Sequence, residues 1–198
     1  IYFRKIYINK FCLRIMVLTE KEAESFLEKE GFVIVESTFV KHSDEFLKGV
    51  NRLGFPLVMK ASGKNIVHKK KIGGVKLNIN SYEAALRSYK ELKAVKGFEG
   101  VILQKQISGK EILLGLKKTP EFGHVLAFGS GGSDAEQIKD VSFRVCPLDK
   151  NDFYEIINDT KISKTLNNYE KETLVEVLKK LNNLSLKFPK ISELDINP

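Results

Sequence analysis

Only two cysteines, Cys12 and Cys146, occur in the 198 residues, too few for a disulfide framework, and no cluster of residues has metal-ligand spacing. That scarcity points to a reducing compartment, with the cytoplasm as the expected location. No apolar run approaches the roughly 18 residues that a membrane-spanning helix needs, so a soluble chain with no membrane partner is expected. Internal repeats and low-complexity tracts are absent, and a hydrophobic share of 42% leaves enough apolar side chains for a core and excludes a disordered tail. Also missing are a Ser-His-Asp order, paired-carboxylate spacing and a nicotinamide-binding fingerprint, which sets those chemistries aside.

The charge is what the chain has in excess, at a formal +8. Half of it sits in a short arm: Arg4, Lys5, Lys10 and Arg14 meet no acid within residues 1–15. The arm lacks the uninterrupted apolar stretch and small-residue cleavage site of a secretory signal. Met16 followed by Leu18-Thr19-Glu20 reads as a natural start, so residues 1–15 are expected to be an extension of low functional weight, at most an extra edge strand. The remaining cations gather beside glycines instead of interleaving with exposed aromatics, so nucleic acid is not an expected partner.

From Thr19 onward the punctuation predicts an α+β fold. Thr19 and Glu22 have capping-box spacing, Ala23, Phe26 and Leu27 follow on one helical face, and Gly31 stops the helix. A short β-rich run, Phe32 to Val35, precedes a helix capped by Ser43 with Phe46, Leu47, Val50 and Leu53 inward. Leu57 to Ala61 reads as a buried strand, Val75 to Ile79 as another, and Ser81 caps a helix with Leu86, Tyr89 and Leu92 inward. The expected first lobe is 16–96. The second, 97–198, opens with strands Val101 to Gln104, Ile112 to Leu116 and Val125 to Phe128, followed by one in which Val141, Phe143 and Val145 alternate. Two helices, around Phe153 and from about Asn168, lead to a last strand with Leu194 and Ile196.

Several constellations carry possible chemistry. Lys60 lies inside an apolar strand, where an ammonium either meets an anion or snorkels from an edge. The run His68-Lys69-Lys70-Lys71-Ile72-Gly73-Gly74 joins cations to a backbone that can approach an anion closely; a β-turn beside solvated charge is the bland reading. His68 is either a phosphoryl acceptor, a general base or a surface residue. The stretch Gly129 to Gly132, with Asp134, Glu136 and Asp140 after it, suits a Mg²⁺ shared with phosphates, or is a hairpin turn with solvated acids. Arg144 alternates with Phe143 and Val145 and is placed to reach a phosphate, while Glu111, Asp195 and Asn197 complete the oxygen donors.

Taken in order, Phe55-Pro56-Leu57-Val58-Met59-Lys60, His68-Lys69 with Gly73-Gly74-Val75, Val101 to Lys105, Glu111 to Gly115, Glu121-Phe122-Gly123 with Phe128 to Gly132, Lys139 to Arg144, and Glu193-Leu194-Asp195-Ile196-Asn197-Pro198 resemble an ATP-grasp family. The likeness covers about residues 17–198. It is to the β subunits of NDP-forming acyl-CoA synthetases, relatives of succinyl-CoA synthetase that include ADP-forming acetyl-CoA synthetase. The resemblance implies two α+β lobes with a nucleotide bound between them. It implies that Lys60 and Lys69 contact the nucleotide phosphates, that the turn at Gly73 and Gly74 closes over them, and that Gln104 and the backbone at Lys105 hold adenine. Glu111 matches an acid that holds the ribose hydroxyls. Glu136 and Asn197 match positions near the metal, Arg144 a group on the terminal phosphate, and His68 a histidine that is phosphorylated and passes the group onward.

The implied function is that of the nucleotide-binding subunit of an ADP-forming acetate-CoA ligase, using ATP/ADP and Mg²⁺ with a CoA-binding α subunit as partner. The resemblance departs at Ser133-Asp134, where the family has bulky apolar residues, and at Thr160 to Tyr169, which is shorter and lacks an Arg-Gly pair. After Asn197-Pro198 family members add a strand whose aspartate helps hold the metal. These departures motivate the alternative, a degenerate ATP-binding regulatory or scaffolding module that moves no phosphate.

Overall fold

The structure is a computed structural model describing residues 3–9, 15–18, 20–63, 66, 69, 72–132 and 139–196, with the backbone alone described for 3–9 and 15–17. His68, Glu136 and Asn197, three of the expected site residues, lie outside the described residues. The chain divides into two compact units, Val35–Gly109 and a discontinuous unit made of Ile1–Ile34 and Lys110–Pro198. The division expected at residues 96/97 falls elsewhere because the strand after it pairs into the sheet that precedes it. None of the described helices is long and apolar enough to cross a membrane.

In the 35–109 unit the chain runs β3 (Ser37–Val40), α2 (Ser43–Leu53), β4 (Leu57–Ser62), β5 (Val75–Ile79), α3 (Tyr82–Lys93) and β6 (Gly100–Lys105). The four strands form one sheet in the order β3-β6-β4-β5, with every neighbour antiparallel. Ser81 caps α3, its hydroxyl accepting from the Ala84 N–H at 3.2 Å. The apolar stripes of α2 (Phe46, Val50, Leu53) and α3 (Ala85, Tyr89, Leu92) bury against Leu57, Met59, Ala61, Val101 and Leu103 of the sheet. Leu47 and Leu86, expected inward, are exposed. The run at Phe32 to Val35 is not a strand; β3 begins at Ser37, where pairing with β6 becomes available.

The discontinuous unit holds β1 (Phe3–Asn9), β2 (Ile15–Val17), α1 (Glu20–Lys29), β7 (Ile112–Thr119), β8 (Gly123–Ser130), β9 (Val141–Val145), α4 (Lys150–Asn158), a 3₁₀ turn (Ile162–Thr165), α5 (Asn168–Lys187) and β10 (Ile191–Ile196). Its six-stranded sheet has the order β2-β1-β10-β7-β8-β9. Thus β1 is not an edge strand: it is paired on both sides, and β2 takes the edge. Asp149 and Asn167 close reciprocal capping boxes with Asp152 and Glu170 at the starts of α4 and α5. Helices α1, α4 and α5 lie over one face of the sheet, burying Leu114, Leu116, Leu126, Phe128, Leu194 and Ile196 with Leu27, Phe153, Ile156, Leu178 and Leu181.

Candidate functional site

Strand register fixes what each sheet presents on the face away from its helices. In the 35–109 unit Lys60 stands opposite Ile102 and Val58 opposite Gln104. Directly opposed residues share a face, and the alternate set on the same strands packs under α2 and α3. Val58, Lys60, Ile102 and Gln104 therefore line the second face. It is closed to water, with Lys60 8% and Gln104 0% exposed. Neither Oε1 nor Nε2 of Gln104 has a hydrogen-bond partner. An amide buried in that state costs about 1–3 kcal/mol per unmade group, which makes it a place where a ligand donor and acceptor are wanted.

The glycine turn lies beside this face. Val75 is opposite Lys60, the Gly74 N–H donates to the Lys69 carbonyl at 2.7 Å, and the Ala61 N–H donates to the Gly74 carbonyl at 2.8 Å. The turn is thereby anchored to the strand that carries Lys60. Gly73 has φ +69°, with open space where a side chain would stand. At the other end of β6, Lys105 is exposed and its N–H donates to the Glu36 carbonyl at 3.0 Å. Next to it the Gln106 amide pairs doubly with Asn78, at 2.7 and 2.6 Å. This clamp links β5 to the end of β6 and has no local sequence signal, since it joins residues 28 apart. A groove of about 850 Å³ runs along Ile72, Lys76, Glu91 and Lys96 and is bordered by Gly73 of the turn. It belongs to the other face, because Lys76 is opposite the core residue Met59.

In the discontinuous unit the face away from the helices is open. One row across four strands reads Asp195, Gly115, Ala127, Phe143, and the next reads Glu193, Lys117, Val125, Val145. The small residues leave a shallow apolar trough of about 320 Å³ with the two acids at its β10 end. Asp195 is one of the expected oxygen donors. Strand alternation places it on this open face, because Leu194 and Ile196 are both in the core. Among the described residues no three His, Cys, Asp or Glu side chains gather as a metal site.

Glu111 precedes β7 and is exposed; its carbonyl accepts from the Gly131 N–H at 2.7 Å, joining it to the glycine-rich end of β8. Asp140 secures the same turn from the other side. Its carboxylate accepts from the Lys161 N–H at 2.6 Å, the Ile162 N–H at 2.9 Å and the Ser130 hydroxyl at 2.7 Å. Burial raises the pKa of Asp140, but the hydrogen bonds from the Lys161 N–H, the Ser130 hydroxyl and the Ile162 N–H outweigh it and hold the group below its ordinary value.

Arg144, expected to reach the terminal phosphate, has Leu126 as its register partner, so it lies on the helix side of β9 while Phe143 and Val145 take the open face. Its guanidinium meets Asp159 at 2.6 Å, Glu155 at 3.4 Å and Asp152 at 3.7 Å. The hydrogen bond to Asp159 leads in raising its pKa further. In the ligand-free chain the guanidinium is thus shared among three carboxylates.

Residues 14–198 match the family model described as an ATP-grasp domain. Acetate-CoA ligase [ADP-forming] II of Archaeoglobus fulgidus is 36% identical over 92% of this chain, which spans 28% of that protein's length. Acetate-CoA ligase [ADP-forming] I subunit beta of Pyrococcus furiosus is 35% identical over 91% of this chain and 84% of its own. Among solved structures, acetyl-coenzyme A synthetase 1 of Ca. Korarchaeum cryptofilum in complex with coenzyme A and Ca-AMPCP superimposes with a TM-score of 0.83 at 31% identity, covering 91% of this chain and 85% of that one. A second complex of the same enzyme holds Mg-AMPPCP with its phosphohistidine segment pointing towards the nucleotide binding site. It matches with a TM-score of 0.76 at 30% identity, over 91% and 84% of the two chains.

Proposed function

The chain belongs to the ATP-grasp family, among the β subunits of ADP-forming acyl-CoA synthetases, and from that premise we propose that it is the nucleotide-binding subunit of an ADP-forming acetate-CoA ligase. It carries a phosphoryl group between phosphohistidine and ADP/ATP. Its partner is a CoA-binding α subunit, on which acyl-CoA and phosphate give acyl phosphate and free CoA. A histidine of that partner takes the phosphoryl group and releases the carboxylic acid; His68 accepts it in turn and yields it to the terminal oxygen of ADP. The observation that supports this reading best is the buried, unpartnered Gln104 amide on the same sheet face as Lys60. A side-chain amide offers both N–H donors and an acceptor oxygen, the complement that the edge of an adenine ring answers.

Lys60 and Lys69 neutralise phosphate charge, with the Gly73-Gly74 turn bringing backbone close, and Lys105 offers its main chain to the base. Glu111 receives the ribose hydroxyls. The oxygen donors on hand suit a hard cation: Asp195 stands on the open face of β10, and Glu136 and Asn197 join it as the residues that would hold Mg²⁺. When bound, that ion neutralises phosphate charge and orients the transferring group. Positioning and charge neutralisation are what this chain contributes to phosphoryl transfer.

Calorimetric titration with ADP is the test. Lys60→Ala is expected to weaken binding by about 1–3 kcal/mol, the scale of a charge-assisted hydrogen bond, and an unchanged dissociation constant overturns the assignment. The engagement of Arg144 with three carboxylates favours a second reading, a nucleotide-binding regulatory or scaffolding module that transfers nothing. Terminally labelled ATP and Mg²⁺, added with the α subunit, separate the two. Acid-labile, base-stable label on this chain that disappears in His68→Ala supports transfer, and its absence supports the module.

A further inference from the structure

The space where a side chain of residue 132 would stand is occupied by the Glu111 carboxylate. An ideal Cβ on Gly132 would collide with Glu111 Oε2 and lie 3.0 Å from its Cδ and 3.7 Å from its Cβ. The backbone agrees: Gly132 has φ +91° and is buried, and its neighbour Gly131 donates its N–H to the Glu111 carbonyl at 2.7 Å. The turn itself is braced from behind, because the Ser130 N–H donates to the Asp140 carbonyl at 2.9 Å and the Ser130 hydroxyl to the Asp140 carboxylate. Glu111 remains exposed on its other side.

We propose that Gly132 is the seat of the Glu111 carboxylate, a positioning residue through which the braced glycine turn sets discrimination between ribose and deoxyribose in the nucleotide. This rests on the reading of Glu111 as the acceptor of the ribose hydroxyls. A flexible, exposed glutamate would lose side-chain entropy each time it bound a diol; one resting against a fixed backbone loses less. No side chain on residue 132 leaves the carboxylate in that place. Gly123, at the opposite end of β8, has a similar backbone angle, φ +68°, but nothing within 4 Å of its missing side chain. It provides the same backbone strain without an occupant.

The test is binding of ATP and of 2′,3′-dideoxy-ATP to the full chain, by calorimetry, in Gly132→Ala, Glu111→Ala, the double variant and Gly123→Ala, with thermal midpoints beside them. The parent is expected to prefer ATP by about tenfold, the worth of one charge-assisted hydrogen bond. Glu111→Ala and Gly132→Ala each bring that preference to within about twofold, and adding Gly132→Ala to Glu111→Ala changes ATP affinity by less than about twofold. Gly123→Ala keeps the parent's preference. A Gly132→Ala protein that keeps the preference while Glu111→Ala loses it overturns the seat and leaves the ribose assignment standing. A Glu111→Ala protein that keeps the preference overturns the ribose assignment and the seat with it. Should Gly132→Ala not fold, Glu111→Asp, which draws the carboxylate back from Gly132, is expected to bring the preference to within about twofold, and a preference kept in Glu111→Asp overturns the seat.

Discussion

Each of the two units has a sheet with one face under helices, and they differ in what the other face carries. In the 35–109 unit that face is closed, and it holds a lysine and an amide with two unmade hydrogen bonds. In the discontinuous unit it is open, with Phe143 60% and Val145 49% exposed beside a row containing Gly115, Ala127 and Asp195. Polar groups desolvated in advance gain much from a ligand that completes them, because their cost is already present in the free protein. An open apolar trough gains only the area that the ligand covers. Orientation and specificity toward a nucleotide should therefore reside in the closed face of the 35–109 unit.

The contrast is sharpest where it touches stability. The helix-covered face of the six-stranded sheet is the core of its unit, and Phe128 within it is fully buried. Phe128→Ala is expected to cost about 3–5 kcal/mol in chemical denaturation. Next in size is the brace behind the glycine turn. Asp140→Asn removes the charge from three hydrogen bonds and should cost about 1.5–3 kcal/mol at neutral pH. Because the folded state depresses the Asp140 pKa, its contribution is complete above the unfolded value of about 4 and is lost as pH falls through the folded one. The gap between parent and variant should narrow below about pH 4; a gap that stays constant down to pH 2 would remove the carboxylate from the account.

How far these faces were readable from sequence follows from what periodicity encodes. Gly31, Gly54 and the caps at Ser81 and Asp149 are local signals, and the helices they delimit stand within a residue or two of expectation. Alternation at Val141, Phe143 and Val145 identified a strand but not which face meets the helices. In the fold Ser142 and Arg144 point toward the helices. The same ambiguity placed Arg144 among the phosphate ligands, while its partners at Asp152, Glu155 and Asp159 are ordinary helix-surface acids. Leu47 and Leu86 fit an apolar stripe by spacing and fall just outside it. The pairing of β1 with β10 joins the two ends of the chain, which no window of sequence contains. Of the site, Lys60 stands out as a polar residue in an apolar strand and Gln104 enters only through the family resemblance, and only register reveals that they share a face.

A smaller stability change with a larger functional one is expected at Gln104. Replacing it with Leu keeps its approximate volume and removes two unsatisfied groups, so Gln104→Leu should leave the protein as stable as the parent or more stable by about 1–3 kcal/mol. Its affinity for ADP should nonetheless fall by about tenfold or more, as two hydrogen bonds to the base are lost. Thermal unfolding with and without ADP measures both effects in one experiment. A destabilised variant would mean that the amide has partners after all, and a stable variant with unaltered affinity would take the base away from this face.

The smallest effect is expected on the open face, and it is the one that decides whether the contrast is real. Phe143 stands across β8 and β7 from Asp195 and exposes more than half its surface. Truncating it to Ser removes little that folding buries, so denaturation should shift by no more than about 0.5 kcal/mol. If reading of the base lies in the 35–109 unit alone, ADP affinity should change by no more than about fivefold in Phe143→Ser, and the ratio of ATP to GTP affinity should not move. A changed purine ratio would overturn the assignment of base reading to the 35–109 unit alone.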